Sequence, residues 1–141
     1  MLFICNKFTT FVWNIKQIFM KIEVSIGEVV DKWTILSIKA LNIKDRDKLI
    51  NIFKERAYLN NVIDPEILHD SLVDDLLKVN KKLWDVEDDL RVCEKDKDFS
   101  IRFIDLARSV YKLNDKRADI KKEINIKYGS EFVEEKSYEP Y

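Results

Sequence analysis

FIDLARSVYKLNDKRADIKKEIN, residues 103–125, carries the pattern that decides the fold. Its apolar residues recur at alternating spacings of three and four, the rhythm of a helix with one buried face. They are Phe103, Leu106, Val110, Leu113, Ile120 and Ile124. The same rhythm also reaches Arg117, which places a charged side chain on the packing face.

A second stretch upstream shows this rhythm more regularly, with apolar residues at 72, 76, 79, 83, 86, 90 and 93. The short polar segment KDKDFS (95–100) separates the two stretches, so we predict an antiparallel helical hairpin over about 66–127. Charge supports the pairing, because residues 66–98 hold 11 acids and 6 bases whereas residues 103–127 hold 4 acids and 7 bases.

The predicted register sets Arg117 opposite Leu76 and near Asp74 and Asp75. Two interpretations of Arg117 are open. Its methylene groups can lie along the seam while the guanidinium reaches a carboxylate outside, in which case Arg117→Met would be neutral or stabilising. Alternatively, the guanidinium points into an anion-binding cavity.

Shorter elements are predicted before the hairpin. Ser25 and Glu28 form a capping box ahead of a helix from Gly27 to about Asn42, and a second helix follows over 45–60. Residues 21–26 alternate apolar and polar side chains, which is typical of a short strand. Gly129 is suited to end the last helix. The predicted class is therefore mainly α, a helical bundle in one domain over 20–141 with an acidic C-terminal tail.

Residues 1–19 are apolar and aromatic but interrupted by polar side chains. No run in them approaches the roughly 20 apolar residues of a membrane span, and they lack the basic start and cleavage site of a signal peptide. We expect either a dispensable extension or an amphipathic helix that docks on the bundle or on a membrane surface.

Composition excludes several functions. A net charge of −1 argues against nucleic acid or an anionic membrane as the main partner. One histidine, two cysteines and two glycines predict no zinc site and no phosphate-binding loop. No cofactor is predicted, although Mg²⁺ on the acidic residues of 85–89 stays an alternative. The cysteine usage predicts a reduced cytoplasmic compartment, the host cytoplasm for a viral protein.

Polar and aromatic side chains form a second stripe beside the seam of both hairpin helices. The antiparallel register brings Asn80 near Asn114, Trp84 near Tyr111, and small Ala107 toward a third element, expected to be the first helix. These stripes can be a structural polar network or a groove that binds an anionic metabolite, such as a nucleotide, a sugar nucleotide or a carboxylate. The candidate binding residues are Lys32, Asn80, Trp84, Arg91, Tyr111, Asn114 and Lys121, and the candidate acid–base residues are Glu87 and Asp31.

Four motifs carry a family resemblance: GEVVDKWTILSIK (27–39), LWDVEDDLR (83–91), the stretch at 103–125, and EEKSYEPY (134–141). Together they resemble a small domain family of unknown function seen in bacteria and in large DNA viruses or phages. The resemblance implies one unit from Met20 to the C-terminus and supplies no catalytic residue.

Two classes of function remain. The favoured one is a non-catalytic helical module that associates with itself or with another protein. The competing one is a small all-α enzyme or binder of an anionic metabolite. Residues that could form a homodimer interface are Trp33, Ile38, Leu41, Ile50 and Tyr58.

Overall fold

Helices account for the regular structure of residues 21–137, the part of the chain that the computed structural model describes. They are α1 (Ile26–Asn42), α2 (Arg46–Val62), α3 (Pro65–Leu68), α4 (Ser71–Asp96) and α5 (Ile101–Lys127). The prediction of a mainly α bundle is confirmed. The prediction for residues 1–19 lies outside the described residues.

The expectation of a short strand at 21–26 is wrong, because residues 21–25 form no regular structure and Ile26 already belongs to α1. The Ser25 hydroxyl accepts a hydrogen bond from the Glu28 backbone N–H (3.3 Å), which starts the helix. Ile22 is 74% exposed, so the alternating pattern packs against no second strand.

The hairpin begins later than expected. Asp64 caps only the single turn of α3, by accepting from the Glu66 N–H (2.9 Å). His69 then leaves helical geometry, and the extended Asp70 accepts from the Leu72 N–H (2.9 Å) to cap α4. Two competent N-caps therefore follow each other within one short segment, and the second one sets the start of the long helix.

The two hairpin helices are joined by a tight turn. Lys97 adopts the left-handed conformation (φ 57°), and the Asp98 N–H bonds the Cys93 carbonyl (2.9 Å), which closes the end of α4. At the far end of α5 Gly129 has φ +64°, and the Ser130 N–H bonds the Asn125 carbonyl (2.8 Å). The predicted role of Gly129 at this helix end is confirmed.

α1 packs on one side of the hairpin and α2 packs on α1. The core lies between these layers and is built from Val30 and Leu36 of α1 with Leu76, Leu83 and Ile124 of the hairpin. With 17 residues α1 is about 25 Å long, whereas α4 and α5, with 26 and 27, are each about 40 Å long. Lys39, in the last turn of α1, lines the same cavity as Glu87, and the hairpin continues beyond this level to Asp96.

The residues proposed for a dimer interface divide between core and surface. Ile38 is only 4% exposed and belongs to the interior. Trp33 donates from Nε1 to Asn60 Oδ1 (2.6 Å) and holds α2 on α1. Leu41, Ile50 and Tyr58 are exposed.

Candidate functional site

Asp31 is the centre of a polar network between α1, α4 and α5. Its side chain is 4% exposed, and Oδ1 accepts from Arg117 Nε (2.8 Å) while Oδ2 accepts from Arg117 Nη2. This hydrogen bond raises the pKa of Arg117. The expected partners, Asp74 and Asp75, are not used, and Asp75 instead pairs with Lys78 (2.9 Å). The buried carboxylate of α1 takes the guanidinium because it has lost its water and needs a donor.

Three uncharged side chains, those of Asn80, Thr34 and Asn114, complete the network. Asn80 donates from Nδ2 to Asp31 Oδ1 (2.8 Å) and to Thr34 Oγ1 (2.8 Å), and the Thr34 hydroxyl donates to the Asp31 carbonyl (2.8 Å). Asn114 is more loosely held, because its Oδ1 lies 3.4 Å from Arg117 Nη1 and its Nδ2 bonds the carbonyl one turn back. Asn80 therefore serves the α1–α4 contact and makes no hydrogen bond with Asn114.

Lys121 is 8% exposed and holds two carboxylates, those of Glu28 and Glu134 (3.0 Å). Burial alone would lower the pKa of Lys121, but these hydrogen bonds outweigh it and the pKa is raised. The same contact lowers the pKa of Glu134. The candidate anion contact thus already binds the acidic tail of its own chain, and Glu28 combines a capping-box backbone contact with an ion pair.

The first turn of α1 is fixed by α5 and the tail, a feature that the sequence reasoning missed. The Gly27 N–H donates to Asn125 Oδ1 (2.6 Å), and the Ile26 N–H donates to Ser130 Oγ (3.2 Å). A Cβ atom at Gly27 would lie 2.7 Å from the Lys121 carbonyl oxygen, so only glycine allows this close approach. The sequence did carry a signal for this close contact, because Gly27 lies two residues after the serine that caps the helix.

A further polar cluster closes the open end of the hairpin. Asp70, which caps α4, accepts from the Tyr128 hydroxyl (2.5 Å) and from Lys127 Nζ (2.5 Å). These contacts hold the pKa of Asp70 well below its usual range, and the bond to Asp70 raises the pKa of Tyr128 to about 12.

Beyond the network lies a small cavity of about 180 Å³ between α1, α4 and α5. Among its polar lining residues are Lys39, Asn80, Glu87 and Arg117, and Trp84 forms part of its apolar wall. We call it the Arg117 cavity. It collects three of the predicted site residues, Asn80, Trp84 and Glu87, together with Lys39, which the sequence reasoning did not name as a site residue.

Near its turn the hairpin carries a larger open groove of about 500 Å³, whose lining among the described residues comes from α4 and α5. We call it the distal groove. Its residues are Glu87, Leu90, Arg91, Glu94, Phe103, Ala107 and Val110. Arg91 lies here and loosely pairs with Glu87 (3.6 Å).

The other predicted residues are dispersed. Lys32 pairs with Glu55 of α2 (2.7 Å) and lines neither the Arg117 cavity nor the distal groove. Tyr111 is 41% exposed. Both carboxylate oxygens of Asp31 accept from Arg117, so its geometry suits a structural tie between α1 and α5.

The acidic stretch 85–89 is spread around α4. Asp85 pairs with Lys81 (2.5 Å), Asp88 with Arg91 (3.6 Å), and Asp89 with Arg102 (3.5 Å). Across residues 21–137, no group of three His, Cys, Asp or Glu side chains is placed to hold a metal ion.

In this same part of the chain, no helix combines the length and apolar character needed to cross a bilayer. Comparison with known proteins gives no match among curated proteins or solved structures. Residues 20–141 do match a family model, and this range includes the polar network, the Arg117 cavity and the distal groove. The chain therefore belongs to the family described as Family of unknown function (DUF6165).

Proposed function

We propose that this protein is a non-catalytic helical module that self-associates through the distal groove. The observation that carries the proposal is the open groove of about 500 Å³ at the part of the hairpin that α1 does not reach. Its apolar side chains, Leu90, Phe103, Ala107 and Val110, belong to the helix faces that pack inward elsewhere in the bundle.

The proposal follows from the difference in helix length. Near its open end the hairpin buries its polar stripe under α1, where Asn80 and Asp31 are 5% and 3% exposed. The nine residues of α4 beyond Glu87 span about 14 Å, given the rise per residue of an α-helix, and the described residues that line the groove there belong to α4 and α5. Small Ala107 in this region leaves room for the close approach of another helix.

The apolar surface at the turn extends beyond the groove itself. Val92, Phe99, Ile101 and Ile104 are between 46% and 68% exposed. Phe99 packs edge to face on Phe103 of the groove, and exposed apolar side chains that group together mark interaction sites more often than singly scattered ones.

The charges at the groove favour a second copy of the chain as the occupant. Glu87 and Arg91 stand one turn apart on α4, and both line the groove. If two α4 helices meet antiparallel, with a two-fold axis at the level of Asp89, Glu87 of each copy faces Arg91 of the other. Two reciprocal ion pairs then flank the apolar centre, as an isologous contact requires.

The module is assigned to a reducing compartment such as the cytoplasm. Cys93 is a free thiol that is 1% exposed and packs inside the hairpin. A structural cysteine of this kind suits an environment where thiols stay reduced.

Sedimentation of the wild-type chain over a range of micromolar concentrations tests the proposal. We expect a concentration-dependent dimer that Ala107→Arg converts to monomer, since a long charged side chain would fill the groove. Ile50→Arg is the matched control, because Ile50 is 63% exposed on α2, away from the groove. It should sediment as the wild type does.

Charge reversal gives a second test. Arg91→Glu alone should weaken the dimer because it places two acids opposite each other, and adding Glu87→Arg should restore it. A wild-type chain that stays monomeric at hundreds of micromolar would overturn the proposal. A dimer that is lost in Ile50→Arg but kept in Ala107→Arg would place the interface on α2 instead.

A further inference from the structure

The Arg117 cavity has polar groups that the structural network leaves unused. Asn80 is 95% buried, with 5% of its surface exposed, and both of its hydrogen bonds are made by Nδ2. Its Oδ1 accepts no hydrogen bond from residues 21–137, although Asn80 lines the cavity. This amide oxygen can therefore accept a hydrogen bond from a donor that enters the cavity.

Donors are also available at the cavity. Lys39 lines the cavity, and its ammonium makes no ion pair within the described part of the chain. Lys32, on another face of the same helix, is paired with Glu55. Arg117 uses Nε and Nη2 for Asp31, and its Nη1 has only the 3.4 Å contact with Asn114. One ammonium and one guanidinium nitrogen can therefore donate into the cavity.

The charges around the cavity balance. Lys39 and Glu87 both line it and are opposite in sign, and the charge of Arg117 is offset by Asp31 behind it. A net anion such as a phosphate would find little excess positive charge here. A molecule that carries one positive and one negative group suits these surroundings better.

Size and polarity narrow the ligand further. A cavity of about 180 Å³ has the room of about six water molecules and is smaller than the roughly 300–1,000 Å³ of sites for nucleotide- or drug-sized ligands. The nucleotides and sugar nucleotides considered from the sequence are too large for it. The rest of the wall is apolar and consists of Ile35, Ile38, Leu83 and Trp84.

We propose that the Arg117 cavity binds a free aliphatic α-amino acid of about the size of leucine. The ligand carboxylate binds Lys39 and Nη1 of Arg117, whose 3.4 Å contact with Asn114 is long, and the ligand ammonium group donates to Glu87 and to Asn80 Oδ1. Its side chain packs against the apolar wall. This site does not require self-association, but it shares Glu87 with the distal groove, where the proposed dimer sets Glu87 opposite Arg91 of the second copy.

Isothermal titration of the full chain with L-leucine tests this inference. Lys39→Met is the informative variant, because Lys39 supports no ion pair among the described residues and its loss leaves the fold intact. It should weaken leucine binding about tenfold or more, since it deletes a charge-assisted hydrogen bond. Lys32→Met is the control on the same helix and should bind leucine as the wild type does.

Two leucine analogues show whether both charged ends are recognised. Leucinamide lacks the carboxylate and N-acetyl-leucine lacks the ammonium, and we expect each to bind about tenfold more weakly or worse than leucine. The Ala107→Arg variant should keep leucine binding, which separates this inference from the proposed self-association.

Three results would overturn the inference. The first is the absence of any saturable heat with leucine, valine or methionine at millimolar concentrations. The second is unchanged leucine binding in Lys39→Met. The third is equal binding of leucine and its two analogues, because a site that ignores both charged groups is only an apolar pocket.

Discussion

Arg117→Met should destabilise the protein by about 2–4 kcal/mol, because it removes one partner of a buried ion pair. The Asp31 side chain is 4% exposed, and its Oδ2 has Arg117 as its donor. Among the described residues, Asn80 Nδ2 is the donor to this carboxylate that remains after the substitution. Removing one partner of a fully buried pair costs about 3–5 kcal/mol, and we lower that range because the Arg117 side chain is 27% exposed.

Urea unfolding followed by far-ultraviolet circular dichroism measures this effect. A loss of 2–4 kcal/mol should lower the midpoint by on the order of 1–2 M, given the usual dependence of stability on urea for small domains. Methionine keeps the methylene contacts of Arg117, so the change reports the lost charge rather than a cavity. Asp31→Asn combined with Arg117→Met should lose less than the sum of the two single losses, since the pair acts as a unit.

The sequence alone suggested the opposite result, in which Arg117→Met is neutral or stabilising. If Arg117→Met is as stable as the wild type, then the guanidinium is a solvated edge group and the carboxylate of Asp31 finds water. The network between α1 and the hairpin would then contribute nothing to stability, and its role in positioning α1 would have to be abandoned.

Three more substitutions test other contacts. Gly27→Ala should lower the melting temperature, because the added Cβ would overpack against the Lys121 carbonyl at a cost of about 1–3 kcal/mol. Gly→Ala inside a helix normally stabilises, so a higher melting temperature would show that this carbonyl can move aside. The contact between Tyr128 and Asp70 contributes stability that is complete below the ordinary tyrosine pKa near 10 and is lost as pH rises through 12. In a series of melting curves at different pH, Tyr128→Phe should remove this loss of stability at alkaline pH. The same series should fall at acid pH as Asp70, whose folded pKa is depressed, is protonated below its ordinary value near 3.8. Glu134→Gln should expose the tail to limited proteolysis at lower protease concentration, because it removes the negative charge from the ion pair with Lys121. Unchanged cleavage would mean that the tail is held elsewhere.

The local features of the fold could be predicted from the sequence because they depend on neighbours in the chain. The spacing of apolar residues gave both hairpin helices, and Ser25 and Gly129 marked helix ends that the structure confirms. The hairpin starts later than the sequence predicts, because Asp64 and Asp70 are equally suitable caps. Local chemistry does not decide between two such caps when only the packing of the following turn separates them.

The partner of Arg117 depended on the position of α1, which the pattern of the hairpin does not contain. A signal was nevertheless present. Along α1 the buried residues Gly27, Val30, Asp31, Thr34 and Ile38 recur at helical spacing, with Leu36 buried beside them, so Asp31 also occupies a packing position. One acid and one base, each placed where an apolar residue belongs, are best explained by each other.

The same logic explains why the α1–α5 contact is polar. Along α5 the residues Asn125, Lys121 and Arg117 succeed one another at four-residue spacing, and they bind Gly27, Glu28 and Asp31 of α1 in turn. A slip of α1 by one turn toward the C-terminal end of α5 would bring Asp31 to Lys121 and leave Arg117 facing the apolar Ile35. An unpaired charge at a buried position costs several kcal/mol, which is more than an apolar interface would lose by sliding. The ion pairs therefore fix where α1 lies along the hairpin, and that position decides how much of the distal groove is left open.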